Sequence, residues 1–206
     1  NWYGVTDAAV EKAKTIAGDD YVILLVDMYG RGVRPANPDE AGKAAGAVYA
    51  DRAGMRERIN AALATLRGLE GAPLAKDDIG AIGFCFGGAT VLELARSGAD
   101  VAGVASFHGA LNTSAPAAAG AIRTSVLVMN GADDTFVSSG EIDAFEKEMR
   151  EAGADWQFVN YGGAVHCFAE PDEDGSVIPG CKFHEPSYRR SMAKMRAFFE
   201  ERFAAE

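Results

Sequence analysis

Residues 79–97 read as a buried strand, a glycine-bracketed turn and a helix, in that order, and few architectures accept such a run. Ile79-Gly80-Ala81-Ile82-Gly83-Phe84 is apolar enough for a strand covered on both faces, and residues 89–97 have helical character. Between them, Gly83-Phe84-Cys85-Phe86-Gly87-Gly88 must reverse the chain within a few residues. Small residues two places either side of Cys85 let the backbone double back without a clash. A residue on such a strained turn presents its side chain at the rim of the sheet. The helix that follows directs its positive end at the sulfur, which favours negative charge there. With 24 glycines and 3 cysteines in 206 residues, chance supplies Gly-x-Cys-x-Gly about 0.04 times per chain, before a strand and a helix are required. The competing reading is a structural cysteine beside glycines that let a helix pack closely on a sheet.

The rest of the chain repeats this rhythm of short apolar runs and helical segments, which predicts a mostly parallel sheet with helices on both faces. Strands are predicted at 21–28, 79–84, 101–107, 125–130 and 156–161. Thr6 caps a predicted helix ending near Ala17. Met55, Ile59, Ala62, Leu63 and Leu66 share one helical stripe. Ser138 and Glu141 make a capping-box pattern, with Gly153 as the stop. A last helix follows Pro186 and turns Tyr188, Met192, Met195 and Phe199 inward. Residues 30–46 read as a loop entering a helix, placed where open α/β sheets build their sites. With no repeat or linker visible, residues 1–206 are expected to form a single domain.

The formal charge of −10 argues against a nucleic-acid surface, since phosphates would be repelled at long range. No apolar run approaches the ~20 residues of a membrane span, so no membrane partner is expected. A monomer or homodimer acting on a small molecule remains. The N-terminus says nothing about compartment. Three cysteines are too few for a disulfide scaffold. A Cys167–Cys181 bridge suits only an oxidising compartment and is the less favoured alternative. A thiol-redox role for that pair is disfavoured because it lacks the Cys-x-x-Cys spacing.

A nucleophilic thiol needs a general base, and the base needs an orienting carboxylate. There are three histidines. His166 follows the last predicted strand on a glycine-bearing loop and is favoured. His108 closes another strand and also faces the predicted site, while His184 reads as a surface residue. Asp133 and Asp134 both follow the strand at 125–130, and position alone does not choose between them. The order nucleophile, acid, histidine is that of α/β-hydrolases.

These residues give the chain a likeness to the dienelactone hydrolase family over nearly its whole length. The likeness rests on Asn1-Trp2-Tyr3-Gly4, Asp27-Met28-Tyr29-Gly30, the Cys85 elbow, Gly131-Ala132-Asp133-Asp134-Thr135-Phe136-Val137 and Tyr161-Gly162-Gly163-Ala164-Val165-His166-Cys167-Phe168. The resemblance implies an α/β-hydrolase fold and a Cys85–His166–Asp134 triad, with the family's acid motif selecting Asp134. It further implies an oxyanion hole formed by the N–H groups of Phe86 and Trp2. The family carries further strands ahead of this point, so the resemblance implies that the chain lacks N-terminal strands. Tyr3, Phe84, His108, Arg31 and Arg34 are candidates for the substrate pocket. Where the family proper has a glutamate beside the cysteine, this chain has Asn1. Where it has two carboxylate-binding arginines, Glu170 and Glu40 stand near the matching positions. The expected substrate is therefore a neutral ester or lactone, cleaved without metal or cofactor. A thioesterase, a peptidase or a non-catalytic binding relative are the alternatives.

Overall fold

In a computed structural model that describes residues 1–204, the chain divides into two compact units, residues 1–76 and 77–206. The first unit holds three helices: α1 (Asp7–Ala17), α2 (Pro38–Ala50) and α3 (Arg52–Arg67). Thr6 caps α1 as predicted, accepting from the Ala9 N–H. Asn37 caps α2, and Pro38 starts it where no N–H is needed. The predicted strand at 21–28 does not form: among the described residues the run joins no sheet. Apolar, β-branched sequence provides a face that suits a sheet, but a strand exists only where backbone partners lie alongside. Here Val22 is 45% and Leu25 37% exposed, far from the buried strand expected.

The second unit contains β1 (Gly80–Phe84), α4 (Phe86–Arg96), β2 (Gly103–Phe107), β3 (Ser125–Gly131), α5 (Ser139–Ala152), β4 (Trp156–Tyr161) and α6 (Glu185–Phe203). The four strands are parallel and lie in chain order, β1-β2-β3-β4. Every residue of β2 and β3 is buried, which explains why both read as continuous apolar runs.

Side-chain alternation assigns the helices to faces. Gly80 and Gly103 are register partners, and a Cβ on either would collide with Phe199 or Phe198 of α6. Gly83 and Ser106 are partners on the opposite face, where Gly88 of α4 meets the Ser106 hydroxyl. The aromatic pairing of Phe145 with Trp156 and Phe158 puts α5 on the α4 side. Helices thus cover both faces, as an α/β-hydrolase fold requires. The predicted stripe of α6 is rotated: Ser187, Ser191, Met195, Phe198 and Phe199 are buried, while Tyr188 and Met192 are half-buried. The two glycines leave room for two adjacent phenylalanines, and that fixes the rotation.

Between α4 and α5, Arg96 is almost wholly buried. It donates through Nε and Nη2 to Glu148 at 3.0 and 2.8 Å, and through Nη1 to Glu93 at 3.1 Å. Among the described residues no helix is long and apolar enough to cross a membrane.

Candidate active site

Cys85 stands between β1 and α4 with φ 53°, a backbone region that a non-glycine residue enters only when its surroundings force it. Two backbone bonds hold it there. Its N–H donates to the Phe107 carbonyl at 3.0 Å, and its own carbonyl accepts the Ala89 N–H at 3.1 Å. Gly83 makes the turn sterically feasible: a Cβ there would lie 1.9 Å from the Gly87 oxygen. Phe86, the first residue of α4, is buried beside the thiol-bearing residue. Phe84 is buried and stacks on Phe107 at 4.4 Å, so it supports the elbow from the core side.

The acid follows β3. Asp134 is 8% exposed, and both carboxylate oxygens are engaged. Oδ1 accepts the Phe136 N–H at 2.8 Å, and Oδ2 lies 2.8 Å from His166 Nδ1. Asp133, its neighbour, is exposed. The histidine loop after β4 is fastened to the acid loop by the bond from the Asp133 N–H to the Ala164 carbonyl, 2.9 Å. Their approach is so close that a Cβ on Gly131 would sit 2.5 Å from the Ala164 oxygen. On the far side of the ring, His166 Nε2 lies 3.4 Å from the Cys85 sulfur. The structure therefore brings Cys85, His166 and Asp134 into one row.

Burial works against a charged His166 ring, but bonds to Asp134 and Cys85 and their charges outweigh it. The ring is raised from 6.5 to about 10. At neutral pH it keeps its proton and donates through both nitrogens, toward Asp134 and toward Cys85.

His108 also lies at this site. It is fully buried at φ 38°, its N–H donates to the Met129 carbonyl at 2.8 Å, and its ring meets that of His166 edge-on at 5.1 Å. His184, read as a surface residue, is half-buried at the start of α6 and bonds Ser187 Oγ at 2.8 Å. Two features had little signal in the sequence. Phe136 packs its ring on His166 at 5.0 Å while remaining 52% exposed, and its only sequence cue is its place two residues after the acid. Cys167 and Cys181 are joined in a disulfide, the alternative the sequence did not favour.

The remaining candidates belong to the first unit. Trp2 and Tyr3 meet edge-on at 5.8 Å, and the Tyr29 hydroxyl donates to the Trp2 carbonyl at 2.7 Å. Arg34 pairs with Asp27 at 2.9 Å and also donates to the Val33 carbonyl, which closes the loop on itself. Arg31 is exposed. Glu40 accepts from the Ala36 N–H and the Asn37 amide and so completes the cap of α2. Among the described residues no group of three or more His, Cys, Asp or Glu side chains is placed to hold a metal ion.

A parallel sheet with helices on both faces, a residue at positive φ between strand and helix, and an acid and a histidine on later loops define an α/β-hydrolase. Residues 1–203 match the profile of the dienelactone hydrolase family, and the chain belongs to that family. The Caenorhabditis elegans protein K02A2.1 is 34% identical over 157 residues, covering 75% of this chain and 98% of that protein. The solved structure of m3DLH superposes with a TM-score of 0.91 at 38% identity, over 99% of this chain and 84% of the other. That of P91, a dienelactone hydrolase-like promiscuous phosphotriesterase from metagenomic libraries, has a TM-score of 0.89 at 36% identity, over 98% and 83%.

Proposed function

We propose that the protein hydrolyses small neutral esters or lactones through Cys85, His166 and Asp134, by way of a thioester acyl-enzyme. The observation that carries this reading is the row from Asp134 through His166 to the Cys85 sulfur, with bonds of 2.8 and 3.4 Å. With its proton held on His166 Nε2, the Cys85 sulfur attacks the carbonyl carbon, and the C=O electron pair moves onto oxygen. The N–H of Phe86, at the start of α4, is one donor to that oxyanion, and such a donor contributes ~3 kcal/mol. The intermediate collapses with loss of the alkoxide, which takes the His166 proton, leaving a thioester. Water, deprotonated by His166, then attacks the thioester carbonyl. The acid departs, and the sulfur leaves with His166 again protonated. Asp134 holds the ring by Nδ1 throughout.

A neutral substrate is favoured because, on the family likeness, Glu170 stands four residues after His166 where an arginine would hold an anionic substrate's carboxylate. A second candidate substrate class is the phosphotriesters, since the relative P91 is a promiscuous phosphotriesterase.

The test is hydrolysis of p-nitrophenyl esters, enol lactones and an aryl phosphotriester by wild type, Cys85→Ala and His166→Ala. Turnover by the wild type and a loss of about a thousandfold or more in each folded variant is expected. Equal rates in all three would remove the triad. An inert wild type whose biological role survives Cys85→Ala would favour a binding protein.

A further inference from the structure

The chemistry proposed above uses His166 but leaves its neighbour unexplained. Cys167 directly follows His166, is 7% exposed and has φ 58°, the second of two cysteines held in the left-handed region. Backbone of that kind persists where surrounding bonds over-determine it. Cys167 is bonded to Cys181, which is 2% exposed and lies opposite His166 itself as its parallel bridge partner. The next residue, Lys182, donates its N–H to the His166 carbonyl at 2.9 Å. The clamp continues outward, with the His184 N–H donating to the Phe168 carbonyl at 3.2 Å and the Phe183 N–H to the Glu173 carbonyl at 2.7 Å.

The closed loop also reaches the acid. At Gly180, one residue before Cys181, a Cβ would lie 3.3 Å from Thr135 Oγ1 and 3.4 Å from the Phe136 ring. Thr135 and Phe136 directly follow Asp134, and the Phe136 N–H is the group bonded to Asp134 Oδ1. One covalent loop thus lies close to the segments that carry both the base and its orienting carboxylate.

We propose that the Cys167–Cys181 disulfide is a positioning device for His166, fixing the backbone from which the imidazole spans Asp134 and Cys85. The proposal rests on the triad reading for its effect on turnover. Cys167 and Cys181 are positioning residues and touch no substrate. A reductant of the dithiol class breaks the S–S bond with two electrons and two protons. The products are two thiols on the protein and one cyclic disulfide from the reductant. Loop 168–180 then keeps its hydrogen bonds and the packing of Phe168 but loses its covalent tie, and the ring loses its fixed distance to the sulfur.

Three forms decide the matter: the oxidised wild type, the wild type reduced with excess dithiol and desalted without oxygen, and Cys167→Ala/Cys181→Ala, in which Cys85 is the sole thiol. Two quantities are read below the unfolding temperature: kcat and KM for a p-nitrophenyl ester, and the titration of the His166 ring by nitrogen-detected NMR. The expected result is a kcat about tenfold to a hundredfold lower in the reduced and double-alanine forms, since small misplacements of reacting groups cost this much. KM should stay within about twofold, and reoxidation should restore only the wild type. The His166 titration should move from about 10 toward 6.5 when the clamp opens. A loop that merely stabilises the fold would lower the melting temperature and leave kcat and the ring titration unmoved, which overturns the proposal. If the oxidised wild type hydrolyses nothing, the triad reading fails, and the ring titration still decides the clamp. Should the double-alanine form not fold, the cycle of reduction and reoxidation in the wild type gives the answer.

Discussion

Replacing Asp134 with asparagine changes little in shape and tests how the carboxylate acts. Asp134 accepts on both oxygens, from the Phe136 N–H and from His166 Nδ1, each at 2.8 Å. An amide can accept on only one of the two. The Phe136 donor is backbone and cannot rotate away, so the asparagine oxygen stays with it and the NH2 group faces the imidazole. His166 Nδ1 must then present its lone pair, and the ring keeps a proton only on Nε2, the nitrogen that points at Cys85. A neutral ring already protonated on its working nitrogen cannot take a second proton from the thiol. The energy at stake follows from the shift that its neighbours impose on the ring. Burial opposes the charged form, yet the value is raised from 6.5 to about 10, which corresponds to about 5 kcal/mol in favour of the protonated ring. The anionic carboxylate supplies a large share of that preference.

The expected loss in kcat for Asp134→Asn is about a thousand- to ten-thousandfold, on the pattern known for the same exchange in a serine protease. Circular dichroism should show an unchanged fold, and ring-nitrogen NMR should show the Nε2–H tautomer. Asp133→Asn serves as the control, because Asp133 is exposed and should retain wild-type kcat. If folded Asp134→Asn keeps more than about a tenth of wild-type kcat, or its ring stays protonated on Nδ1, the orientation argument is wrong.

Two further outcomes follow from the same geometry. Because the folded-state value of His166 is raised, its contribution to stability is complete below about pH 6.5, declines as pH rises and is gone past about 10. The urea-unfolding difference between wild type and His166→Gln should therefore shrink across that window by at most about 1.4 kcal/mol per pH unit, and a flat or growing difference refutes the sign. Glu148→Ala should destabilise the protein by about 3–5 kcal/mol in urea melts, because Arg96 is left buried without its main counter-charge. A loss below about 1 kcal/mol would show that water reaches the guanidinium.

Which parts of this protein were readable beforehand depends on how far apart the deciding residues lie. The elbow is local: strand, glycines, cysteine and helix are consecutive, and β1 and α4 fall where the sequence puts them. The Ser138 capping box and the Gly153 stop are local too and form as predicted. The run 21–28 fails because pairing is decided by neighbours, not by its own apolar residues. The rotation of α6 depends on Gly80 and Gly103, about a hundred residues away, making room for Phe198 and Phe199. The choice between Asp133 and Asp134 needs the Phe136 N–H and the imidazole in place, and only the family motif made it earlier. The disulfide was illegible for the same reason, since thirteen loop residues between Cys167 and Cys181 must first fold back.

The parallel order of the strands explains why these particular loops meet. β1, β2, β3 and β4 are neighbours in sequence order, so their carboxyl ends share one rim. Each is followed by a residue of the site: Cys85 directly after β1, His108 directly after β2, Asp134 three residues after β3, and His166 five residues after β4. Strands are about 4.8 Å apart, so the end of β4 stands about 14 Å from the end of β1. No side chain fixed at the end of β4 could reach the sulfur of Cys85. The loop after β4 must carry the imidazole back across β3 and β2. That is why Gly131 must let it pass against the end of β3, and why His108, at the end of β2, meets it edge-on. The length of that loop is then as much a requirement of the site as the three side chains. A base that must cross two strands depends on whatever holds its loop down, and the bonds that do so converge on the residues flanking His166.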